Sequence, residues 1–403
     1  MAKANNTSLL EPLRKFFQTE QASGIVLIVC TLFSIILANS GAGEGYIEFW
    51  NTHIGIYAGD FSLDHSILHW VNDGLMVVFF LVVGMEIKRE VVQGELSTFR
   101  KAILPVLAAL GGMVVPALLY AFFNAGGVYQ HGWGIPMATD IAFALGVLAL
   151  LGGRAPMALK IFLMALAVID DLGAILVIAI FYNQGVILSN LIIALSVFVL
   201  LLILNRFRVT NLIPYLVGGL VMWYFMHSSG IHATIAGVLL AFTIPMRSAN
   251  PDYSPLISLE DTLHSFSSFF VMPLFALANT AIVISGDLGK IFSSDLNHGI
   301  MAGLVFGKVI GIVGFTYLAV RTGLAVLPSK ATWGKITGLG FLGGIGFTMS
   351  IFISVLAFNE PEHQTQAKVS ILAASLLTGL IGYFLLHQTT SPGKKPAKAD
   401  GGK

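Results

Sequence analysis

A succession of apolar stretches, cut by short polar breaks, constrains this chain more than any other feature. A helix rising 1.5 Å per residue needs about 20 apolar residues to cross the hydrocarbon core of a bilayer. Twelve stretches meet or approach that length, at 22–40, 66–91, 102–123, 132–152, 157–182, 188–205, 212–226, 230–246, 260–284, 298–320, 334–358 and 366–387. The seventh and eighth are short and share a small-residue break from His227 to Gly230. Over 403 residues, 56% are hydrophobic and 11% charged, with a mean hydropathy of +0.84. An ordinary soluble domain carries roughly 25% charged residues. Only helices and closed barrels satisfy their backbone in lipid. Stretches this long and continuous predict an all-α polytopic membrane protein with twelve transmembrane helices.

Basic residues fix the orientation, because lysine and arginine beside short loops are retained on the cytoplasmic side. Alternate connections carry 19 of the 22 basic residues, from Lys3, Arg14 and Lys15 through Lys88, Arg89, Arg100 and Lys101 to Lys394, Lys395, Lys398 and Lys403. The opposite loops hold Lys290 and Lys368, and Lys308 lies inside a span. Both termini are therefore predicted cytoplasmic, with a tail at 1–21, a transporter domain at 22–387 and a disordered Pro/Gly/Lys tail at 388–403. One missed span would scramble this one-sidedness. The run 24–38 after Arg14 and Lys15 could pass for a signal peptide, but its long preceding tail and many similar successors favour a retained first helix.

A net charge of +1 gives no general attraction to nucleic acid. The lone cysteine, Cys30, excludes an internal disulfide and a cysteine metal site. In the long loop 41–65, the alternation of Ile54, Ile56, Phe61 and Leu63 about Gly59-Asp60 reads as a two-residue β-hairpin. A lone hairpin is marginal, so a second copy of the chain is expected to pair with it near Gly59.

A charged side chain near the bilayer centre costs about 2.5–3.5 kcal/mol, so such residues mark ion paths or relays. The candidates are Asp140 in Met137-Ala-Thr-Asp-Ile, Asp170 and Asp171 in Val168-Ile-Asp-Asp-Leu, and Lys308 in Phe306-Gly-Lys-Val. Asp73, in the outer half of the second span, reads as structural. Adjacent residues on a helix point about 100° apart, so the two acids cannot face one small ion equally. One is expected to take the cation and the other to pair with Lys308. Hard oxygens suit Na⁺ or Li⁺, with the Thr139 hydroxyl and freed backbone carbonyls completing the shell.

The fourth span opens on Gly132-Trp-Gly-Ile-Pro and the eleventh on Gly338-Leu-Gly-Phe-Leu-Gly-Gly-Ile-Gly-Phe. Glycine this dense weakens helices and permits unwound backbone where it lines a cavity. The two interrupted spans occupy matching places in two halves, spans 3–5 and 10–12, the pattern of inverted-topology repeats. Where broken helices cross, Asp140 and Lys308 could offset the facing partial charges of helix ends.

Val71-Asn-Asp-Gly-Leu-Met, Val83-Gly-Met-Glu-Ile-Lys-Arg-Glu, Ala138-Thr-Asp-Ile-Ala-Phe-Ala, Ile169-Asp-Asp-Leu-Gly and Gly344-Ile-Gly-Phe-Thr-Met-Ser resemble, in order, the bacterial sodium/proton antiporters of the NhaA family. Broken helices and inverted repeats are known in that family. The resemblance implies a core of spans 3–5 and 10–12, an interface of spans 1, 2, 8 and 9, and a bacterial inner-membrane location. It puts the cation-binding pair on Asp170 and Asp171, with Asp171 the more direct ligand, the dipole-compensating acid on Asp140 beside Thr139, and the intramembrane lysine on Lys308. It maps a cytoplasmic pH-response cluster to Glu86, Arg89, Glu90 and Glu260, with His232 and His264 as accessories. Asp261, Ser265 and Val309 depart from the family pattern, which bears on pH threshold more than on transport.

The expected activity is a secondary antiporter with no cofactor, in which Na⁺ or Li⁺ and protons compete for the same carboxylates. Two protons entering per ion leaving would move one net charge, about 2.3 kcal/mol per 100 mV. An intramembrane aspartyl protease would need two carboxylates converging on one water, whereas adjacent acids diverge. A channel would conduct without proton flux.

Overall fold

The computed structural model describes residues 20–58, 61–183, 185–248, 253–284 and 288–390. The Gly59-Asp60 turn, with the dimer contact expected there, and most of both tails lie outside them. The described helices are α1 (Glu20–Ala38), α2 (Gly43–Asn51), α3 (Ile67–Val92), α4 (Phe99–Asn124), α5 (Ile141–Ala149), α6 (Met157–Phe181), α7 (Leu188–Arg206), α8 (Ile213–His227), α9 (Ile235–Thr243), α10 (Pro255–Phe266), α11 (Met272–Asn279), α12 (Leu288–Phe292), α13 (Asp295–Arg321), α14 (Trp333–Gly343), α15 (Phe347–Ala357) and α16 (Pro361–Thr389). A 3₁₀ helix, Gln130–Met137, precedes α5. Among the described residues, seven helical segments are long and apolar enough to cross a bilayer, and two bent pairs raise this to nine. Apolar residues such as Ile36, Leu118, Phe122, Leu200 and Leu220 stand exposed around the outside, as lipid-facing side chains do. The molecule is an all-α polytopic membrane protein.

The hairpin pairs His53–Ala58 (β1) with Phe61–Ser66 (β2) in antiparallel register, Ile56 opposite Leu63. Residues 43–51, expected within the 41–65 loop, form α2. Its glycine-rich, acidic stretch has no continuous apolar run, and it is anchored by Trp50, which is buried, and by the Tyr46 hydroxyl, which donates to the Leu277 carbonyl at 3.1 Å. The stretch 230–246 is helical only over α9, because Gly230 takes a positive φ of 81° and the chain turns before Ile235. The ninth stretch starts earlier than expected: Pro255 opens α10, whose first turn is capped by Ser254 accepting from the Ile257 amide at 3.4 Å.

The two expected halves meet along α4 and α13, which share the most extensive helix–helix contact among the described residues. A Cβ at Gly111 would overlap the Gly311 carbonyl, and one at Gly311 would overlap that of Gly111. Gly307 likewise abuts Pro116, which lies inside α4. Small residues let membrane helices approach to backbone contact. That approach, after a π-helical turn at Ala302–Gly307, brings Lys308 fully inside the protein.

Candidate functional site

The site forms where two interrupted elements pass one continuous helix. The 3₁₀ helix ends at Met137 and α5 begins at Ile141, leaving Ala138, Thr139 and Asp140 without helical structure. The pair α14 and α15 bends by 43° at its own break, 344–346. The breaks touch: the Asp140 amide donates to the Ile345 carbonyl at 2.7 Å. Beside them runs α6, unbroken for 25 residues and carrying Asp170 and Asp171.

Asp140 caps both helices that start at the crossing. Its Oδ1 accepts from the Phe143 amide at 2.9 Å, and its Oδ2 accepts from the Thr348 amide at 3.2 Å and from the Thr348 hydroxyl. The facing N-termini of α5 and α15 thus share one carboxylate. Thr348 stood at the end of the glycine-rich run, but a cap donated from more than 200 residues away has no local signature.

Asp170 and Asp171 are both buried and face different surroundings. Asp170 Oδ2 accepts from the Lys308 ammonium at 2.5 Å, with both side chains 0% exposed. The Thr139 hydroxyl lies 2.7 Å from the same oxygen and 2.7 Å from the Gly343 carbonyl, and its single proton serves one of them. Lys308 thus bonds a carboxylate, and the Thr139 hydroxyl sits between that carboxylate and the carbonyl end of α14. Asp171 turns instead into a cavity of about 120 Å³ that also reaches Asp140, Thr348, Glu86 and His264. Its Oδ1 is buried with no hydrogen-bond partner among the described residues.

Glu86 lies at the rim of that cavity, with His264 Nε2 3.9 Å from its Oε1. Arg89 pairs with Glu260 at 3.0 Å and with Glu90 at 3.6 Å. The structure thus gathers Glu86, Arg89, Glu90, Glu260 and His264. It does not gather His232, which the sequence reading grouped with them. His232 precedes α9, at the opposite end of the molecule's thickness from Glu86, stacks on Phe352 with ring centroids 5.1 Å apart, and sits 4.0 Å from Asp73. Asp73 and Glu86 lie 13 residues apart on α3, roughly 20 Å along the axis. A second cavity, of about 480 Å³, opens at the Asp73 end, and neither Asp170 nor Asp171 lines it.

Residues 14–386 match the family model described as Na⁺/H⁺ antiporter 1. The chain belongs to that family. A Flavobacterium psychrophilum protein named Na(+)/H(+) antiporter NhaA is 52% identical over 93% of this chain and 95% of its own length. The Dechloromonas aromatica protein of the same name is 53% identical over 94% and 96%. Clostridium beijerinckii Na(+)/H(+) antiporter NhaA 1 is 50% identical over 92% and 94%. The matched residues include both breaks and α6, so the site described above lies inside the matched region.

Proposed function

We propose that this chain is a secondary antiporter of twelve membrane crossings, both termini cytoplasmic in a bacterial inner membrane, that exports Na⁺ or Li⁺ in exchange for external protons. The observation that supports this best is the unequal treatment of two adjacent acids: Asp170 is held by Lys308 and lies beside the Thr139 hydroxyl, while Asp171 lines the cavity with no ion-pair partner among the described residues. A buried carboxylate without a partner is costly unless a proton or cation sits on it. Protons and Na⁺ therefore compete for Asp171, with Asp170 and the oxygens near Thr139 as neighbours. The cavity links this acid to Glu86 and His264, at the end where positive-inside bookkeeping puts the cytoplasm. Sodium enters there when the acid loses its proton, the core of spans 3–5 and 10–12 rocks against spans 1, 2, 8 and 9, and external protons displace the ion.

Two protons per ion would make the exchange electrogenic, and the Glu86, Arg89, Glu90, Glu260 and His264 group at the mouth would set its pH response. Two copies would pair through the hairpin. The exchange needs no cofactor and breaks no bond, which separates it from a protease. The test is sodium-triggered proton movement in proteoliposomes. Wild-type protein should acidify or alkalinise the lumen on a sodium jump, and Asp171→Asn should abolish the response. Undiminished exchange in that variant would remove Asp171 from the site.

A further inference from the structure

The cavity at the Asp73 end holds a cluster that the transport reading does not use. His65 is the penultimate residue of β2, His69 and Asp73 follow at four-residue intervals into α3, and His227 ends α8. One ring nitrogen from each of the three histidines falls within 4.8 Å of the others. His65 Nε2 and His227 Nε2 lie 3.2 Å apart, and the rings of His65 and His69 stack with centroids 4.2 Å apart. The Asp73 carboxylate closes the group, 3.4 Å from His69 Nε2 and 3.7 Å from His227 Nδ1.

We propose that His65, His69 and His227 form a binding site for a divalent transition-metal ion of the Zn²⁺ class, with Asp73 as charge partner. Nitrogens at about 2.0–2.1 Å from a tetrahedral zinc stand roughly 3.3 Å from one another, and the His65–His227 pair already has that separation. The remaining closure, from at most 4.8 Å, is within reach of side-chain rotation at the ends of β2, α3 and α8. His69 Nε2 is buried, makes no hydrogen bond among the described residues and lies 3.4 Å from the Asp73 carboxylate, so a metal would compete only with that ion pair. Asp73 lies at ion-pair distance from His227 Nδ1, the far nitrogen, leaving Nε2 of that ring for the metal; a carboxylate behind a metal-bound imidazole is the usual supporting arrangement. The carboxylate also offsets one of the ion's two charges. Neutral imidazole favours borderline ions such as Zn²⁺ over Na⁺, Mg²⁺ or Ca²⁺, which take oxygen. His69, Asp73 and His227 line the 480 Å³ cavity, which supplies a path for the ion and water for a fourth ligand. The bound ion would staple the junction of the hairpin and α3 to the end of α8, 162 residues further along the chain.

The site does not depend on the transport reading and is tested without it. Full-length protein purified on a tag free of histidine is stripped with chelator, and Zn²⁺ is measured by equilibrium dialysis, with Co²⁺ as the spectroscopic probe. The expected result is one Zn²⁺ per chain, held at micromolar concentration or tighter, with the intense visible absorption of four- or five-coordinate Co²⁺. Binding should weaken at least 10-fold in each of His65→Ala, His69→Ala and His227→Ala, and less in Asp73→Asn. Zn²⁺ should raise the melting temperature of the wild type and not that of His227→Ala, while a monodisperse size-exclusion profile and a cooperative melt in chelator show each variant to be folded. Absence of stoichiometric Zn²⁺ in the wild type, or equal retention by the three histidine variants, would overturn the proposal.

Discussion

Replacing Lys308 with methionine keeps most of the side chain's volume and removes the charge that faces Asp170. In the native structure both partners are fully buried, and Asp170 Oδ1 already lacks a partner. The loss leaves Oδ2 with the Thr139 hydroxyl alone. Two routes accommodate it. Leaving the carboxylate charged and unpaired costs about 3–5 kcal/mol, the range for breaking buried ion pairs. Protonating it at pH 7, from an ordinary aspartate value near 3.9, costs about 4 kcal/mol at 1.36 kcal/mol per unit. The routes converge on about 4 kcal/mol. Removing the acid as well, in Lys308→Met with Asp170→Asn, eliminates the need for either and should return about 2 kcal/mol or more. The assay is unfolding of purified protein by titration with denaturing detergent, comparing wild type, both single variants and the double variant at pH 7. A double variant no more stable than Lys308→Met would refute the reasoning, because the penalty would then not come from the stranded carboxylate.

Other outcomes follow from the same geometry. Asp140→Ala removes the acceptor for two helix-opening amides and one hydroxyl, and at about 1–3 kcal/mol per stranded buried donor it should lower stability by several kcal/mol in the same assay, with Asp140→Asn between. Gly311→Val should cost about 1–3 kcal/mol or prevent folding, since its Cβ meets the Gly111 carbonyl, whereas Gly314→Val, with open space around its Cβ, should be far milder by yield and melting temperature. Arg89→Gln strips the partner 3.0 Å from Glu260, whose side chain is 4% exposed, and should shift the pH midpoint of exchange; Lys101→Gln, paired with Glu95 at a 56%-exposed ammonium, should leave that midpoint in place.

The parts of the site legible in sequence are those set by local rules. Helical rotation required Asp170 and Asp171 to diverge, and burial of Lys308 required an acid. Rotation alone does not say which acid meets the lysine; that follows from the depth at which α13 packs on α4 through Gly111 and Gly311. Glycine density marked both interruptions, but the sharing of Asp140 by two helix starts depends on a contact between residues 140 and 348. The misplaced His232 has the same cause. Its number lies between residues of the mouth cluster, yet α9 is short and begins after it, so chain order and depth disagree. The histidine group of β2, α3 and α8 had a partial signature in the four-residue spacing of His65, His69 and Asp73. His227 joins it only through folding.

A charge count at the crossing separates the roles of the three acids. Each helix N-terminus carries about half a positive charge, so the two that Asp140 caps balance its carboxylate. Lys308 balances Asp170. Asp171 remains as one unmatched negative charge, which one proton or one monovalent cation neutralises. Under the proposed exchange of two protons per ion, the second proton would come from parting the Lys308–Asp170 pair. In the Lys308→Met, Asp170→Asn double variant that pair does not exist, and position 170 stays neutral throughout. Exchange that survives in this variant should carry one proton per sodium and become insensitive to membrane voltage. Proteoliposomes clamped with a potassium gradient and an ionophore provide the measurement: the wild-type rate should change with the imposed potential and the variant's should not. A variant as voltage-dependent as the wild type would place the second proton on a group other than this pair.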